Sequence, residues 1–164
     1  GNGSPAAGVL ALRPDIQIEG VDLETVPSSS IAIHYYDGKA IPFPDDSWDV
    51  CMANDVIHHC DSMKETLSEM RRVAKSTIIL KDHIADSWID FQVLRLMDWV
   101  GNRGYGTPLP YNFLTSEEWA GLFQELHLQQ STCRYDLGLY PPVFLGLLDR
   151  RMHFLAALTL PKEG

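Results

Sequence analysis

The chain has 164 residues, of which 45% are hydrophobic and 21% charged, and its formal net charge is −9. This length suits one domain with a sizeable core. The acidic balance disfavours a nucleic-acid partner, because a phosphate backbone would be repelled on average. No apolar stretch reaches the roughly 18 residues of a membrane span, and no signal segment opens the chain, so we expect a cytoplasmic protein with no membrane partner.

Cysteines and histidines give little support for a metal site. The three cysteines, Cys51, Cys60 and Cys133, are odd in number and widely spaced, so they predict neither a disulfide framework nor a CxxC metal knuckle. Ligand-type residues do follow one another from His58 to Asp61. Consecutive residues on one turn rarely converge on one ion, however, and no second ligand pair follows at zinc-like spacing. We therefore predict no metal.

Helix and strand patterns alternate along the first half of the chain. Ser4-Pro5 is a helix start, and Ser62 with Glu65 forms a capping box before an apolar stripe at helical spacing. In order, the predicted elements are a helix over 4–12, strands over 16–22, 31–36 and 48–53, a helix from 62, and a strand over 77–80. Such alternation predicts an α/β fold with a mostly parallel central sheet covered by helices on both faces.

The second half of the chain differs from the first. Residues 86–100 are apolar around most of the helix circumference, which indicates a helix packed on several sides, a lid or a dimer surface. Thr115 and Glu118 form a capping box that opens a further helix. Two final strands, over 132–137 and 153–160, are expected to pair antiparallel. Of the tryptophans, we expect Trp48, Trp88 and Trp119 in the core.

Polar residues stand at the ends of several predicted strands, where ligands of open α/β sheets bind. These residues are Asp22, Asp37-Gly38, Asn54-Asp55 and Asp82-His83. With the segment DGKAIPFPDDSWDVCMANDVIHHCD, residues 37–61, the pattern resembles the class I S-adenosylmethionine-dependent methyltransferases, in particular the methyltransferase type 11 group. The resemblance implies a Rossmann-like fold with a C-terminal antiparallel strand pair. It also implies one domain over 1–164, in which 84–115 form a helical and loop insertion on the substrate side.

The resemblance implies S-adenosyl-L-methionine as cofactor and S-adenosyl-L-homocysteine as its product. Carried over residue by residue, the cofactor contacts would be Gly1 and Gly3 of a glycine-rich loop, Asp22 with Leu23 at the ribose, Asp37 with Gly38 at the adenine, and Asn54 with Asp55 at the methionine portion. The alternative for both strand-end aspartates is that they only cap turns. The family's first strand and the start of its glycine-rich loop would precede Gly1, so we expect this sequence to begin inside the domain.

Methyl transfer is an in-line displacement that needs alignment and, for a hydroxyl acceptor, a general base. His59 and His83 are the candidate catalytic bases; the alternative is that each packs beside the cofactor and hydrogen-bonds locally. DWVGN, residues 98–102, and PLPYNF, residues 108–113, resemble the substrate-side region of some family members. Candidate substrate contacts are therefore His58, Asp98, Trp99, Tyr111 and Asn112, with turn chemistry and helix packing as the competing interpretation. His34, His127 and His153 are interpreted as structural.

We therefore predict S-adenosylmethionine-dependent methyl transfer to a small-molecule acceptor. ANDVIHH, residues 53–59, stands where methyltransferases of nucleic acids and protein amides would carry an NPPY-like segment. The alternative is a non-catalytic methyltransferase-like module for binding or scaffolding. A dehydrogenase would need a full GxGxxG, which is absent. The apolar helix over 86–100 is compatible with a homodimer.

Overall fold

The computed structural model describes residues 3–24, 29–104, 109–139 and 151–161. The chain divides into two compact units, Gly1–Pro44 and Asp45–Gly164, and each has its own sheet. Among the described residues, no helix combines the length and the apolar character that crossing a bilayer requires. The prediction of a single domain over the whole chain stays a prediction.

The first unit consists of one helix and a pair of parallel strands. Helix α1 spans Ser4–Leu12, and strands β1, Glu19–Asp22, and β2, Ala32–Tyr35, pair in register. The helix begins where Ser4-Pro5 predicted, but its N-cap is Gly3, which makes no side-chain cap bond. The parallel register pairs Asp22 with Tyr35, so the carboxyl ends of both strands reach the same edge.

The second unit is built on a four-stranded sheet with the order β3–β4–β6–β5. Its strands are β3, Trp48–Asn54; β4, Ala74–His83; β5, Gln129–Arg134; and β6, His153–Thr159. A 3-10 turn, Ile57–His59, follows β3, and the helices are α2, Met63–Val73; α3, Trp88–Asn102; and α4, Ser116–Glu125. β3 and β4 run parallel, whereas β6 is antiparallel to both of its neighbours.

The core of this unit follows from the alternation of side chains along β4 and β6. Ile78 and Leu80 of β4 are fully buried, and their partners in the register, Leu158 and Ala156, are fully buried too. Strand side chains alternate between faces, so Asp82 continues the face of Ile78 and Leu80. A carboxylate thus stands at the end of an apolar stripe, where it is 0% exposed.

The α/β class and the C-terminal antiparallel pair are confirmed. The strands form two sheets among the described residues, rather than one central sheet, and the parallel pairing is confined to β1–β2 and β3–β4. Trp119 is in the core, 2% exposed, but the prediction for Trp88 was wrong, since its side chain is 76% exposed at the start of α3. Helix α3 buries Asp90 and Leu94, and several of its other apolar side chains face outward.

Candidate active site

The cofactor-side residues of the first unit lie at the ends of its two strands. Asp22 Oδ1 accepts a hydrogen bond from the Glu24 N–H at 3.1 Å. Asp37 Oδ1 accepts from the N–H groups of Ala40 and Lys39 at 3.0 and 2.8 Å, and these bonds lower the pKa of Asp37. Such contacts are the turn-capping role of the alternative interpretation. They do not exclude a ligand, because an ionised carboxylate has about four acceptor sites.

Two glycines of the first unit have positive φ angles. Gly3 has φ 74°, and a Cβ added there would lie 2.9 Å from Ile31 Cγ1 and 3.0 Å from Ser29 Oγ. Gly38 has φ 83°, and its added Cβ would lie 3.5 Å from Leu23 Cδ2. Both positions therefore need the conformational freedom of glycine, and Gly3 also needs the space. Gly1 lies outside the described residues.

Asn54 and Asp55 end β3 in the second unit. Asn54 is exposed, whereas Asp55 turns the chain with φ 52° and donates its N–H to the Lys81 carbonyl at 2.9 Å. Its Oδ2 forms an ion pair with Lys81 Nζ. Its Oδ1 is buried without a hydrogen-bond partner among the described residues and lies 3.9 Å from His83 Nδ1. Asp55 therefore joins the strand end to a group of histidines.

Asp82 is the centre of that group. Its Oδ1 accepts from His58 Nδ1 at 2.6 Å and from the His83 N–H at 2.8 Å, and its Oδ2 accepts from the Ile57 N–H at 3.1 Å. Burial opposes ionisation of this carboxyl, but the hydrogen bonds of His58 and His83 outweigh burial and hold the pKa of Asp82 well below its usual range. The ionised carboxylate fixes the His58 proton on Nδ1, which leaves Nε2 as an acceptor or ligand atom.

Asp98 of α3 brings a second carboxylate to the histidines. Its side chain is 6% exposed, and Oδ1 lies 3.6 Å from His59 Nε2 and 3.9 Å from His58 Nε2. Asn102 Nδ2 donates to the same Oδ1 at 2.7 Å, and Oδ2 has no hydrogen-bond partner among the described residues. Three of the predicted site residues, His58, His59 and Asp98, thus converge from the 3-10 turn and a later helix.

Two members of this histidine–aspartate cluster received no site role in the sequence interpretation. Asp82 was named only as a strand-end residue, and His153 was interpreted as structural. His153 lies opposite His83 in the β4–β6 register, with ring centroids 4.6 Å apart. Burial, followed by the nearby charges of His83 and Lys81, lowers the pKa of His153 to about 4. Asp82 could have been found from the sequence, because it is a charged residue at one of the alternate positions of β4 that are otherwise apolar. His153 could be assigned to the cluster only once the pairing of β6 with β4 was known.

The loop before α4 closes one side of the cluster. The Phe113 ring lies 5.5 Å from His58 and 5.6 Å from His83, and Tyr111 packs against Phe113 with ring centroids 6.3 Å apart. Asn112 Nδ2 donates to the Cys60 carbonyl at 3.1 Å, so it holds this loop against the residue that ends the 3-10 turn. The hydrogen bond of Asn112 agrees with the interpretation that this residue has a packing role. Phe113 covers one side of the cluster, a role that the sequence analysis did not give it.

Two of the predicted substrate contacts meet at a surface depression beside this loop. Trp99 and Tyr111 line it, and its volume is about 290 Å³. Gln92, Arg95 and Leu96 of α3 complete the lining. The Arg103 guanidinium lies 5.2 Å from the centroid of the Trp99 ring. The depression therefore combines apolar and aromatic surface with a cationic side chain.

Comparisons with known proteins agree with this fold. Residues 6–80 match the family model described as "Methyltransferase domain", of type 11. No curated protein sequence matches the chain. Among solved structures, a SAM-dependent methyltransferase from Methanosarcina mazei has a TM-score of 0.68 at 12% identity, over 99% of this chain and 90% of that one.

Two further solved structures give the same result. The YcgJ protein from Bacillus subtilis has a TM-score of 0.62 at 18% identity, over 99% of this chain and 90% of that one. A complex between the Haloferax volcanii Trm112 methyltransferase activator and a methyltransferase gives 0.66 at 14% identity, over 98% and 80%. At these identities the likeness concerns the fold. Residues 6–80 are similar to the methyltransferase type 11 family, and the chain as a whole has the fold of S-adenosylmethionine-dependent methyltransferases.

Proposed function

We propose that this chain binds S-adenosylmethionine and transfers its methyl group to a small-molecule acceptor at the histidine–aspartate cluster. The observation that carries the proposal is the cluster itself, in which three carboxylates and three histidines lie close together near the ends of β3 and β4. They are Asp55, Asp82, Asp98, His58, His59 and His83. Open α/β sheets bind their ligands at the carboxyl ends of strands. For this reason the acceptor is proposed to bind at the cluster.

The cofactor's adenosine part is proposed to contact the strand ends of the first unit. Asp22 is proposed to accept from the ribose hydroxyls, and Asp37 from the adenine amino group, since one carboxylate can accept several hydrogen bonds at once. Leu23, 59% exposed and next to Gly38, offers apolar surface to the adenine ring. Gly3 allows the backbone a close approach. Asn54 and Asp55 are proposed to hold the methionine amino group.

The acceptor is proposed to contact His59 and His83, whose side chains are 19% and 14% exposed and therefore reachable from outside. His58, whose side chain is 2% exposed, is proposed to support them from the interior of the cluster. The depression at Trp99 and Tyr111 offers aromatic surface beside the Arg95 side chain, which supports an acceptor with an apolar or aromatic part. The prediction that His59 or His83 accepts the acceptor's proton stays a prediction.

Calorimetric titration with S-adenosylhomocysteine tests the cofactor half of the proposal. We expect binding by the wild-type chain and a loss of tenfold or more in Asp22→Ala, on the order of the 1.5 kcal/mol of one hydrogen bond to a charged group. Asp15→Ala is the matched control, since this exposed aspartate of the same unit pairs only locally with Arg13. Absence of binding by the wild-type chain would contradict the proposal and favour the scaffolding alternative.

The acceptor class needs a separate experiment. The chain would be incubated with methyl-labelled S-adenosylmethionine and a cell extract, and the product divided by ultrafiltration. The filtrate is then separated by chromatography, and the proposal expects a labelled small molecule other than S-adenosylmethionine with wild-type protein and none with Asp22→Ala. Label retained with protein or nucleic acid would contradict a small-molecule acceptor.

The homodimer also stays a prediction, and sedimentation velocity at micromolar concentration would contradict it by showing only monomer.

A further inference from the structure

We propose that His58, His59 and Asp98 bind a divalent transition-metal ion of the zinc type. The ligand atoms would be Nε2 of each histidine and Oδ1 of the aspartate, and all three lie within 4.8 Å of one another. Two imidazoles and one carboxylate are a common set of protein ligands for catalytic zinc, which keeps a fourth position open. This inference departs from our sequence-based prediction of no metal, because Asp98 would supply a third ligand from a distant helix.

The separations of these atoms suit ligands better than hydrogen-bond partners. Asp98 Oδ1 is 3.6 Å from His59 Nε2 and 3.9 Å from His58 Nε2. Hydrogen bonds between nitrogen and oxygen are shorter, at roughly 2.7–3.2 Å. Ligand atoms placed about 2.0–2.2 Å from a tetrahedral ion are roughly 3.3–3.6 Å from each other. Small side-chain movements would therefore complete the coordination.

The charge of Asp98 gives a second, independent reason. Its side chain is 6% exposed, and among the described residues no lysine or arginine forms an ion pair with it. Oδ2 is buried without a hydrogen-bond partner among those residues, and the donor to Oδ1 is the neutral amide of Asn102. A buried carboxylate is costly unless it is paired with a cation or coordinates a metal. A bound cation would supply that charge.

The surroundings also orient the ligands as metal sites do. Ligating histidines usually donate their other ring nitrogen to a carboxylate, which fixes the ring and raises its basicity. Asp82 accepts from His58 Nδ1 at 2.6 Å in this way. Asn102 holds Asp98, and the Phe113 ring, 5.5 Å from His58, limits water on one side. His58 and Asp98 are therefore each held in position by a neighbouring side chain, as ligands of a metal usually are.

Two other groups of potential ligands in the cluster are less suited to an ion. In one group, Asp55 already pairs with the Lys81 ammonium, whose positive charge would oppose a cation. In the other, the oxygens of Asp82 are taken by backbone N–H groups and by His58 Nδ1. In the group with Asp98, by contrast, no lysine or arginine among the described residues pairs with the carboxylate.

The chemistry of the site follows from its open position, and this step rests on the proposed function. An acceptor hydroxyl bound there would lose its proton to water more readily, because the metal stabilises the oxygen anion. An electron pair of that oxygen would form the bond to the methyl carbon, while the carbon–sulfur bond breaks and its pair stays on sulfur as S-adenosylhomocysteine. His59 would then act as a ligand instead of as the base suggested by the sequence.

Titration with Co²⁺ tests the site without any need for activity. The chain is first treated with chelator, and visible absorption then reports on cobalt held by nitrogen and oxygen ligands, with Zn²⁺ as competitor. We expect one ion per chain, and loss of the spectrum in both Asp98→Asn and His59→Gln. Asp82→Asn should weaken binding by about 10- to 100-fold, as is typical when an outer partner of a ligand is removed.

Two histidine variants serve as controls, and circular dichroism shows whether each variant folds. His34→Gln changes a half-exposed histidine of the first unit, and His153→Gln changes a histidine of the group around Asp55. Both should keep the cobalt spectrum. Failure of the folded wild-type chain to bind Co²⁺, unchanged binding in Asp98→Asn and His59→Gln, or loss in His153→Gln would each overturn the inference. The S-adenosylhomocysteine titration is carried out with chelator present, so its result tests the proposed function independently of the metal site.

Discussion

Asp82→Asn is the most informative single change in the second unit, because it keeps the size of the side chain and removes its charge. The wild-type carboxylate has acceptor oxygens on both sides. Oδ1 serves His58 Nδ1 and the His83 N–H, and Oδ2 serves the Ile57 N–H. In the variant, one of the two oxygens becomes an NH₂ donor. If the carbonyl stays with the first pair, the new donor faces the Ile57 N–H.

The cost has two parts. The bond from His58 loses its ionised acceptor, and hydrogen bonds to charged groups are worth about 1.5–3 kcal/mol against about 1 kcal/mol for neutral ones. A buried N–H left without an acceptor costs about 1–3 kcal/mol more. We therefore expect Asp82→Asn to lower the free energy of unfolding by about 3 kcal/mol at neutral pH. Because the pKa of Asp82 is lower in the folded state, this stabilisation is complete above the ordinary pKa of 3.8 and is lost as the pH falls below it.

Urea unfolding followed by tryptophan fluorescence, with chelator present, measures this cost. Asp49→Asn is the matched control, because the Asp49 side chain is 88% exposed and pairs with Lys75 at 3.3 Å. An exposed pair of this kind contributes at most about 1 kcal/mol. A loss in Asp82→Asn no larger than that in Asp49→Asn would refute the view that Asp82 organises the cluster.

Three further predictions concern pH, helix capping and backbone conformation. Burial lowers the pKa of His153 from 6.5 to about 4, so His153 is neutral in the folded chain at pH values where it is protonated in the unfolded chain. The free energy of unfolding should therefore decrease by about 3 kcal/mol as the pH is lowered from 6.5 to about 4. Urea unfolding of His153→Asn should lack this part of the pH dependence. Thr115→Ala removes the capping box of α4 and should lower the unfolding free energy by about 1 kcal/mol, whereas Thr115→Ser should be nearly neutral; equal losses would contradict the capping role. Gly3→Ala should accelerate amide hydrogen exchange in α1, since both φ 74° and Ile31 oppose a Cβ, and Gly8→Ala, which meets no atom within 4 Å, should slow it.

Local signals in the sequence predicted the helices well. The Thr115 capping box and the Ser62 N-cap are present, and α4 and α2 begin at the residues that follow them. Hydrogen bonds between residues three apart depend on the sequence nearby, so a sequence pattern is enough to find them. Trp88 was misplaced because an apolar helix pattern does not reveal how many sides of the helix meet a partner.

The site was predicted in part for a related reason. The resemblance brought attention to His58, His59, His83 and Asp98, and the structure places all four in one cluster. Their mutual geometry depends on contacts between residues distant in the chain. The bond between His58 and Asp82 spans 24 positions, and His153 reaches His83 only through the antiparallel register of β6. No local pattern encodes such pairings, so the central role of Asp82 needed the fold.

The position of β6 has a consequence for how the second unit is made. This strand is the last described one in the chain, yet it lies between β4 and β5 in the sheet. During synthesis, one edge of β4 and the facing edge of β5 keep their backbone groups and apolar side chains unpaired until β6 has been made. Pairings this distant are slow to form and expose the nascent chain to aggregation. A chain that ends before His153 would thus lack the strand that joins β5 to β4, and the cluster would lack the His153 side chain.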